Sequence, residues 1–359
     1  MKFLREHKKL HIWLGATVLV LVLFLLFRYN RAVMTFWVDH ITMPIARVMQ
    51  RLTSVVPFSV AEWVIVVAVL IPICLLIRAI VRMCRRRMSV GYGLYRIGVG
   101  GLAMGLTVLA AMSLFWGANY YADGFSERAG IFPEGATVDE LERVTRIFAE
   151  GLSETAYLVE RDENGVFVVT IEEIFAESVY AFSGIEEVFP FLAHRDVRPK
   201  PLLSSPIWAM TSYTGFYFPF TGEANINILA PRSQVPATVL HEFAHQRGIA
   251  SENEANFIAI LAGIKSDDPI FSYSAWMMGY LYLSNALHRA APDRFQAIQE
   301  TLSPYVFADF ADIRAYRERR HETVARVMDQ LNDTMLRGYG EESGIQSYGE
   351  VVDLLIAYF

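Results

Sequence analysis

Three long apolar stretches, Leu10–Phe27, Val60–Val81 and Ile97–Trp116, constrain this chain more than any other feature. At about 1.5 Å per helical residue, each can cross most or all of a hydrocarbon core of roughly 30 Å. Residues 1–120 therefore read as an α-helical membrane anchor with three transmembrane helices. Lys2, Arg5, Lys8 and Lys9 would suit the start of a signal peptide, but the apolar run ends in Arg28-Tyr29-Asn30-Arg31, with no small-residue cleavage site. The first span is expected to be an uncleaved signal anchor.

Charge divides the chain at the same place. Residues 1–120 hold 14 Lys and Arg against 3 Asp and Glu, whereas residues 121–359 hold 18 against 35. The basic half is also the apolar half, which removes the electrostatic basis for a nucleic-acid partner and leaves the lipid bilayer as the expected one. Orientation follows from Lys and Arg in the short flanks. The N-terminus and the second connection, with Arg78, Arg82, Arg85, Arg86, Arg87 and Arg96, belong in the cytoplasm. The first connection also carries Arg28, Arg31, Arg47 and Arg51, so it is not depleted. Three spans starting inside place residues 121–359 outside the cytoplasm. Trp13, Trp63 and Trp116 lie near span ends, as interfacial anchors do. Both cysteines, Cys74 and Cys84, precede residue 121, so the outer domain has neither a disulfide framework nor a thiolate metal site.

The outer domain reads as α+β. Thr137-Val138-Asp139-Glu140 is a capping box that opens a helix to about Leu152. Val166–Ile171, after Asn164-Gly165, reads as a strand after a turn, and Glu172–Phe182 as a helix. Pro199–Pro219 reads as loop with one strand at most. Ala224–Leu229 alternates polar and apolar residues, the pattern of a strand with one buried face. Helical periodicity then runs from Val235 to Gly248, resumes after Ser251, and continues over Tyr273–Ala290, Pro292–Leu302, Asp312–Leu336 and Tyr348–Phe359. Tyr273–Ala290 is short for a fourth span and carries Asn285 and His288, so it is read as a core helix.

The chemistry concentrates in His241-Glu242-Phe243-Ala244-His245. Four residues apart on a helix, His241 and His245 share one face and both imidazoles can reach one ion. Neutral imidazole suits Zn2+, and Glu242 stands where a carboxylate can take a proton from zinc-activated water. The Ala224–Leu229 strand before this helix is expected to pair with an extended peptide. A third ligand must come from outside the motif, and Ser251-Glu252-Asn253-Glu254-Ala255-Asn256 offers one, after a sharp turn at Gly248. Ser251 and Glu254 fit a capping box, which leaves Glu252 as the favoured ligand, Glu254 as the alternative, and Asn256 one turn on as its support. A metzincin would have a third His at position 251, where this chain has Ser251. Tyr213, Tyr217, Tyr273, His288 and His321 are candidates to stabilise an oxyanion, and spacing does not select among them. Glu223 reads as a turn residue, and Arg314, Arg317, Arg319 and Arg320 as the solvated face of a helix.

The pattern His241-Glu242-x-x-His245 followed by Glu252-x-x-x-Asn256 resembles the gluzincin arrangement, with a shorter spacer than in thermolysin-like enzymes. The chain as a whole resembles an uncharacterised family of bacterial membrane-anchored HExxH proteins, a domain of unknown function read as zinc peptidases. The matching stretches are Phe216–Asn225, His241–Phe257 and Gly344–Gly349. This resemblance implies a zincin-like domain over residues 121–359 and supplies no substrate.

The expected function is that of a membrane-anchored zinc metallopeptidase acting on a peptide or protein substrate. His241, His245 and Glu252 are the expected metal ligands and Glu242 the general base. Two rivals stay open on the sequence: a non-catalytic zinc-stabilised extracytoplasmic sensor or scaffold, and a zinc amidase acting on cell-wall peptides.

Overall fold

The computed structural model describes residues 6–133, 135–211, 213–341 and 350–359. Its contacts divide the chain into two units: Met1–Ile45 with Val60–Ala122, and Ala46–Ser59 with Asp123–Phe359.

The first unit contains α1 (Lys8–Phe27), α2 (Arg31–Trp37), the start of α3 (Met43–Thr53), α4 (Val60–Cys84) and α5 (Val90–Phe115). Asn30 caps α2 by accepting from the Val33 N–H. Helices α1, α4 and α5 are each long and apolar enough to cross a membrane. α1 lies along α5, where Trp13 Nε1 donates to Thr107 at 2.9 Å and His11 meets Tyr95. The most apolar window of α4 has no buried residue. A helix that is apolar all round and covered by no protein is suited to lipid. The third apolar helix begins seven residues before the expected start, because Ser89 caps it by accepting from the Tyr92 N–H. Backbone hydrogen bonding carries the helix through Arg96, where the apolar run is interrupted.

The second unit is mostly helical with one small sheet. It comprises α6 (Phe125–Ala129), α7 (Val138–Thr155), α8 (Ile171–Glu177), α9 (Ser183–Val188), β1 (Lys200–Pro201), α10 (Ser205–Ala209), β2 (Gly215–Phe218) and β3 (Glu223–Ile226). Then follow α11 (Val235–Gln246), α12 (Glu252–Ile264), α13 (Pro269–Ala290), α14 (Pro292–Gln299), α15 (Pro304–Arg317), α16 (Glu322–Gly338) and α17 (Val351–Tyr358). The capping box at Thr137 forms as expected: Glu140 N–H reaches the Thr137 hydroxyl, and the Glu140 carboxylate accepts from Thr137 N–H at 2.8 Å. α13 is the central helix of the core, packed against α7, α12 and α11 through Phe271, Tyr273, Tyr280 and Leu283.

Several expectations for this unit are corrected. Pro199–Pro219 is not a loop with one strand at most: it holds β1, α10 and β2. Val166–Ile171 is not a strand: Asp162 organises the turn by accepting from Asn164 and Val166, and only an isolated bridge, Arg161 to Phe167, follows. The expected helix from Asp312 is two, α15 and α16, separated at 318–321. Ala224–Leu229 contains β3, which lies between β1, parallel, and β2, antiparallel, and all four of its residues are buried. Its polar residues face partners in place of water. Asn225 accepts from Ser59 at 2.6 Å, Glu223 from Thr221 at 2.9 Å, and Asn227 contacts Tyr316 at 2.8 Å. The stretch Gly344–Gly349 lies outside the described residues.

The segment Ala46–Ser59, between the first two apolar helices, is built into this sheet. Buried Lys200 in β1 donates to the carbonyls of Thr53 and Val56, capping the C-terminal end of α3. Thr53 donates to the Thr221 carbonyl. Gly222, at φ 67°, brings the β2–β3 turn so close that an added Cβ would lie 2.5 Å from the Ala46 carbonyl oxygen.

The packing of α7 on α13 gives a stability prediction. A Cβ on Gly279 would lie 2.1 Å from the Phe148 ring, which Trp276 and Phe359 hold edge-on at 4.8 and 5.1 Å. Gly279→Ala is expected to destabilise the second unit by about 1–3 kcal/mol through overpacking. A chemical-denaturation midpoint for the full chain in detergent checks this, and an unchanged midpoint would refute it.

Candidate metal centre

The motif forms as its spacing demands. α11 carries His241 and His245 one turn apart, and the chain reverses at Gly248, whose φ of 86° is the left-handed conformation expected there. α12 then starts at Glu252 and returns its carboxylate to the imidazoles. His245 Nε2 lies 3.0 Å from His241 Nε2, and Glu252 Oε2 lies 3.2 Å from His241 Nε2 and 3.7 Å from His245 Nε2. Ligand atoms roughly 2.0–2.1 Å from a tetrahedral metal stand about 3.3 Å apart, so the triangle is of the right size for one ion. Among the described residues, these three alone form such a His, Cys, Asp or Glu cluster.

Hydrogen bonding sets the tautomer of one ligand. His245 Nδ1 lies 2.7 Å from the carbonyl of Ile249, which can only accept. Nδ1 is therefore the donor, and in the neutral ring the lone pair is on Nε2, facing the cluster. Four buried polar atoms here lack a hydrogen-bond partner: His241 Nδ1, Glu242 Oε2, Glu252 Oε2 and Asn256 Nδ2. Buried polar groups are nearly always satisfied, so this concentration fits a site arranged to hold a charged or polar guest.

The two candidate third ligands separate clearly. Glu254 points to another helix start, where its carboxylate accepts from Phe125 N–H and Ser126 N–H, both at 2.8 Å. Ser251 makes no side-chain cap to α12 and contacts Asn253 and Glu341 instead, so the expected Ser251–Glu254 capping box is not formed. Glu254 caps α6, whereas Glu252 is free to face the histidines.

Glu242 lies beneath β2, where the Tyr217 N–H donates to its carboxylate. A Cβ on Gly215 would come within 2.9 Å of Glu242 Oε1, so the glycine makes room for the carboxylate. Burial raises the Glu242 pKa; His241 and His245 oppose the rise and Glu252 adds to it. Burial pushes Glu252 in the same direction, but His245 and His241 outweigh it and hold it well below the usual carboxylate range. For His245, burial disfavours the charged ring, and the Glu252 and Glu242 carboxylates reverse the balance, raising it to about 9.

The oxyanion candidates disperse. Tyr273 is tied to Asp309 in a buried group with Arg161. His288 packs on Phe295, and His321 precedes α16. Tyr213 feels the Glu252 carboxylate, and its hydroxyl lies 3.3 Å from both Asp329 and Asn332. Tyr282, which spacing did not single out, is half-buried near Asn256 and Glu252. Its place depends on α13 packing against α12, and nothing in the local sequence signals that. Arg247, directly after α11, is also beyond the motif. It forms a two-pronged pair with Asp196 at 2.9 Å, binds Glu186 at 2.8 Å and lies over the Phe182 ring, fixing the helix end that carries His245.

A cation on His245 Nε2 must displace a proton held up to about pH 9. Its apparent affinity is expected to rise about tenfold per pH unit from pH 6 to 8, because the ring stays protonated across that range and each unit lowers the competing proton concentration tenfold. Competition with a chromophoric chelator across that range measures the slope, and a flat profile would contradict it.

No curated protein and no solved structure matches the chain. A family model, Protein of unknown function (DUF3810), matches residues 38–356. The match spans the connection after α2, both later apolar helices and the whole of the cluster, so the chain belongs to the DUF3810 family.

Proposed function

We propose that this protein is a membrane-anchored zinc metallopeptidase with a zincin-like second unit on the extracytoplasmic side of a bacterial inner membrane. The observation that carries the reading is the convergence of His241 Nε2, His245 Nε2 and Glu252 Oε2 within 3.0–3.7 Å, next to a buried Glu242. These three side chains would hold the ion. Bound zinc would supply a Lewis acid for the scissile carbonyl and lower the pKa of a coordinated water towards about 7.

The remaining roles fall to the chain itself. Glu242, with its raised pKa, accepts a proton from the attacking water and passes it to the leaving amine. The Tyr217 N–H that binds its carboxylate keeps it aimed from beneath β2. An extended substrate pairs with β2 and not with β3, because β3 has both edges taken by β1 and β2. Along that strand Phe216 and Phe218 are half-buried, with Trp208 stacked on Phe216 at 4.9 Å, an apolar lining suited to substrate side chains. Tyr282 and Tyr213 are the hydroxyls nearest in role to an oxyanion donor.

The described residues offer three ligands and no fourth His, Cys, Asp or Glu, which favours an open, catalytic site over a closed structural one. That Ala46–Ser59 and Asp123–Phe359 form one unit supports placing both on one side of the bilayer, with α4 and α5 crossing as a pair.

Glu242→Gln is expected to retain zinc and lose hydrolysis of a peptide library by at least about a hundredfold, the lower end of general-base contributions. Equal turnover by wild type and variant would end the metallopeptidase reading. Externally added protease on spheroplasts is expected to reach residues 123–359. Protection of that region until the cells are lysed would overturn the assigned sidedness.

A further inference from the structure

A second polar site stands apart from the metal cluster. Arg47, Gln50 and Arg51 of α3 meet Ala193, His194 and Arg195, on the loop before β1, around a cavity of about 110 Å³. All six residues belong to the second unit. The three arginines are exposed, and among the described residues none has an ion pair. Gln50 is 3% exposed; its Oε1 accepts from His194 Nε2 at 3.1 Å, while its Nε2 has no partner. Burial, followed by the positive charges of Arg247, Arg47 and Arg51, lowers His194 to about 3, so the ring is neutral in a strongly positive field. The nearest carboxylate in the hydrogen-bond network, Glu186, is already bound to Arg247 and to the His194 N–H. Three unpaired guanidiniums and a buried, unpartnered amide donor call for an oxyanion with several acceptor oxygens.

Exposed apolar residues on α3 and just beyond its end indicate the source of that oxyanion. Val48, Leu52, Val55 and Phe58 are 49%, 61%, 81% and 41% exposed. This apolar row runs beside the arginines and ends two residues before α4, which is long and apolar enough to cross a membrane. A free inorganic ion would have no use for it. An amphipathic helix with basic residues next to an exposed apolar face is suited to the headgroup and acyl boundary of a bilayer.

We propose that the Arg47–Gln50–Arg51–Arg195 pocket binds the phosphate of an anionic phospholipid, with Val48, Leu52 and Val55 seated among its acyl chains. The site rests on the apolar helices crossing a bilayer and is independent of the hydrolase reading. It also gives Arg47 and Arg51 a function in a connection where positively charged residues are otherwise unexpected on the outer side.

The test uses the full chain in neutral detergent, with native mass spectrometry after addition of phosphatidylglycerol, phosphatidylcholine or inorganic phosphate. Wild type is expected to retain phosphatidylglycerol over phosphatidylcholine by at least tenfold. Arg47→Gln/Arg51→Gln/Arg195→Gln is expected to lose that preference while its thermal midpoint stays unchanged, since all three side chains are exposed. Equal lipid retention by wild type and the triple variant would overturn the site. Displacement of the lipid by inorganic phosphate at equal concentration would overturn the lipid source. Release of the chain from membranes by alkaline carbonate would refute the membrane reading itself.

Discussion

Four ionisable side chains, His241, Glu242, His245 and Glu252, share one largely buried volume, and the surrounding fold is organised around satisfying them. Taking such groups out of water is unfavourable by several kcal/mol each unless partners are supplied. The Ile249 carbonyl supplies one for His245 and the Tyr217 N–H one for Glu242, and the carboxylates and imidazoles partly neutralise one another. The partners come from β2, from the Gly248 turn and from α12, so the cluster depends on all three being packed together. Arg247 secures the turn by joining the end of α11 to Glu186, Asp196 and the Leu192 carbonyl.

The same unit is joined covalently to the part of the chain that holds the three long apolar helices. Ala46–Ser59 leaves the first apolar helix pair, packs under the β2–β3 turn and enters α4 directly. Gly222 touches both α3 and, through its carbonyl, Gln246 Nε2 at 2.8 Å, one residue from His245. A chain of packed groups thus links α3 to α11, the helix that bears the motif. The segment is physically a fourth strut of the sheet, although its sequence position assigns it to the anchor.

Much of the site was readable from spacing because it is local. The i, i+4 histidines, the left-handed turn at Gly248 and the return of Glu252 all lie within the stretch from His241 to Glu252 and follow from helix geometry. The separation of Glu252 from Glu254 was not readable in the same way. Either carboxylate could face the histidines by helical register, and the choice was made by Phe125 and Ser126, more than a hundred residues earlier, whose N–H groups engage Glu254. The alternation in Ala224–Leu229 was equally incomplete as a signal. It marks a strand with two chemically different faces, but both are buried because Ser59, Thr221 and Tyr316 arrive from distant segments to meet the polar one.

By itself the sequence determined the three apolar helices, the helical frame of the motif and the identity of its two imidazoles, because each depends on hydropathy or spacing within a few turns. Tertiary structure decided which carboxylate completes the cluster, which strand lies at the edge of the sheet, and that a connection between two apolar helices belongs with the sheet. Those outcomes depend on which distant hydrogen-bond donors and acceptors meet in a buried place, and only the packed chain brings them together.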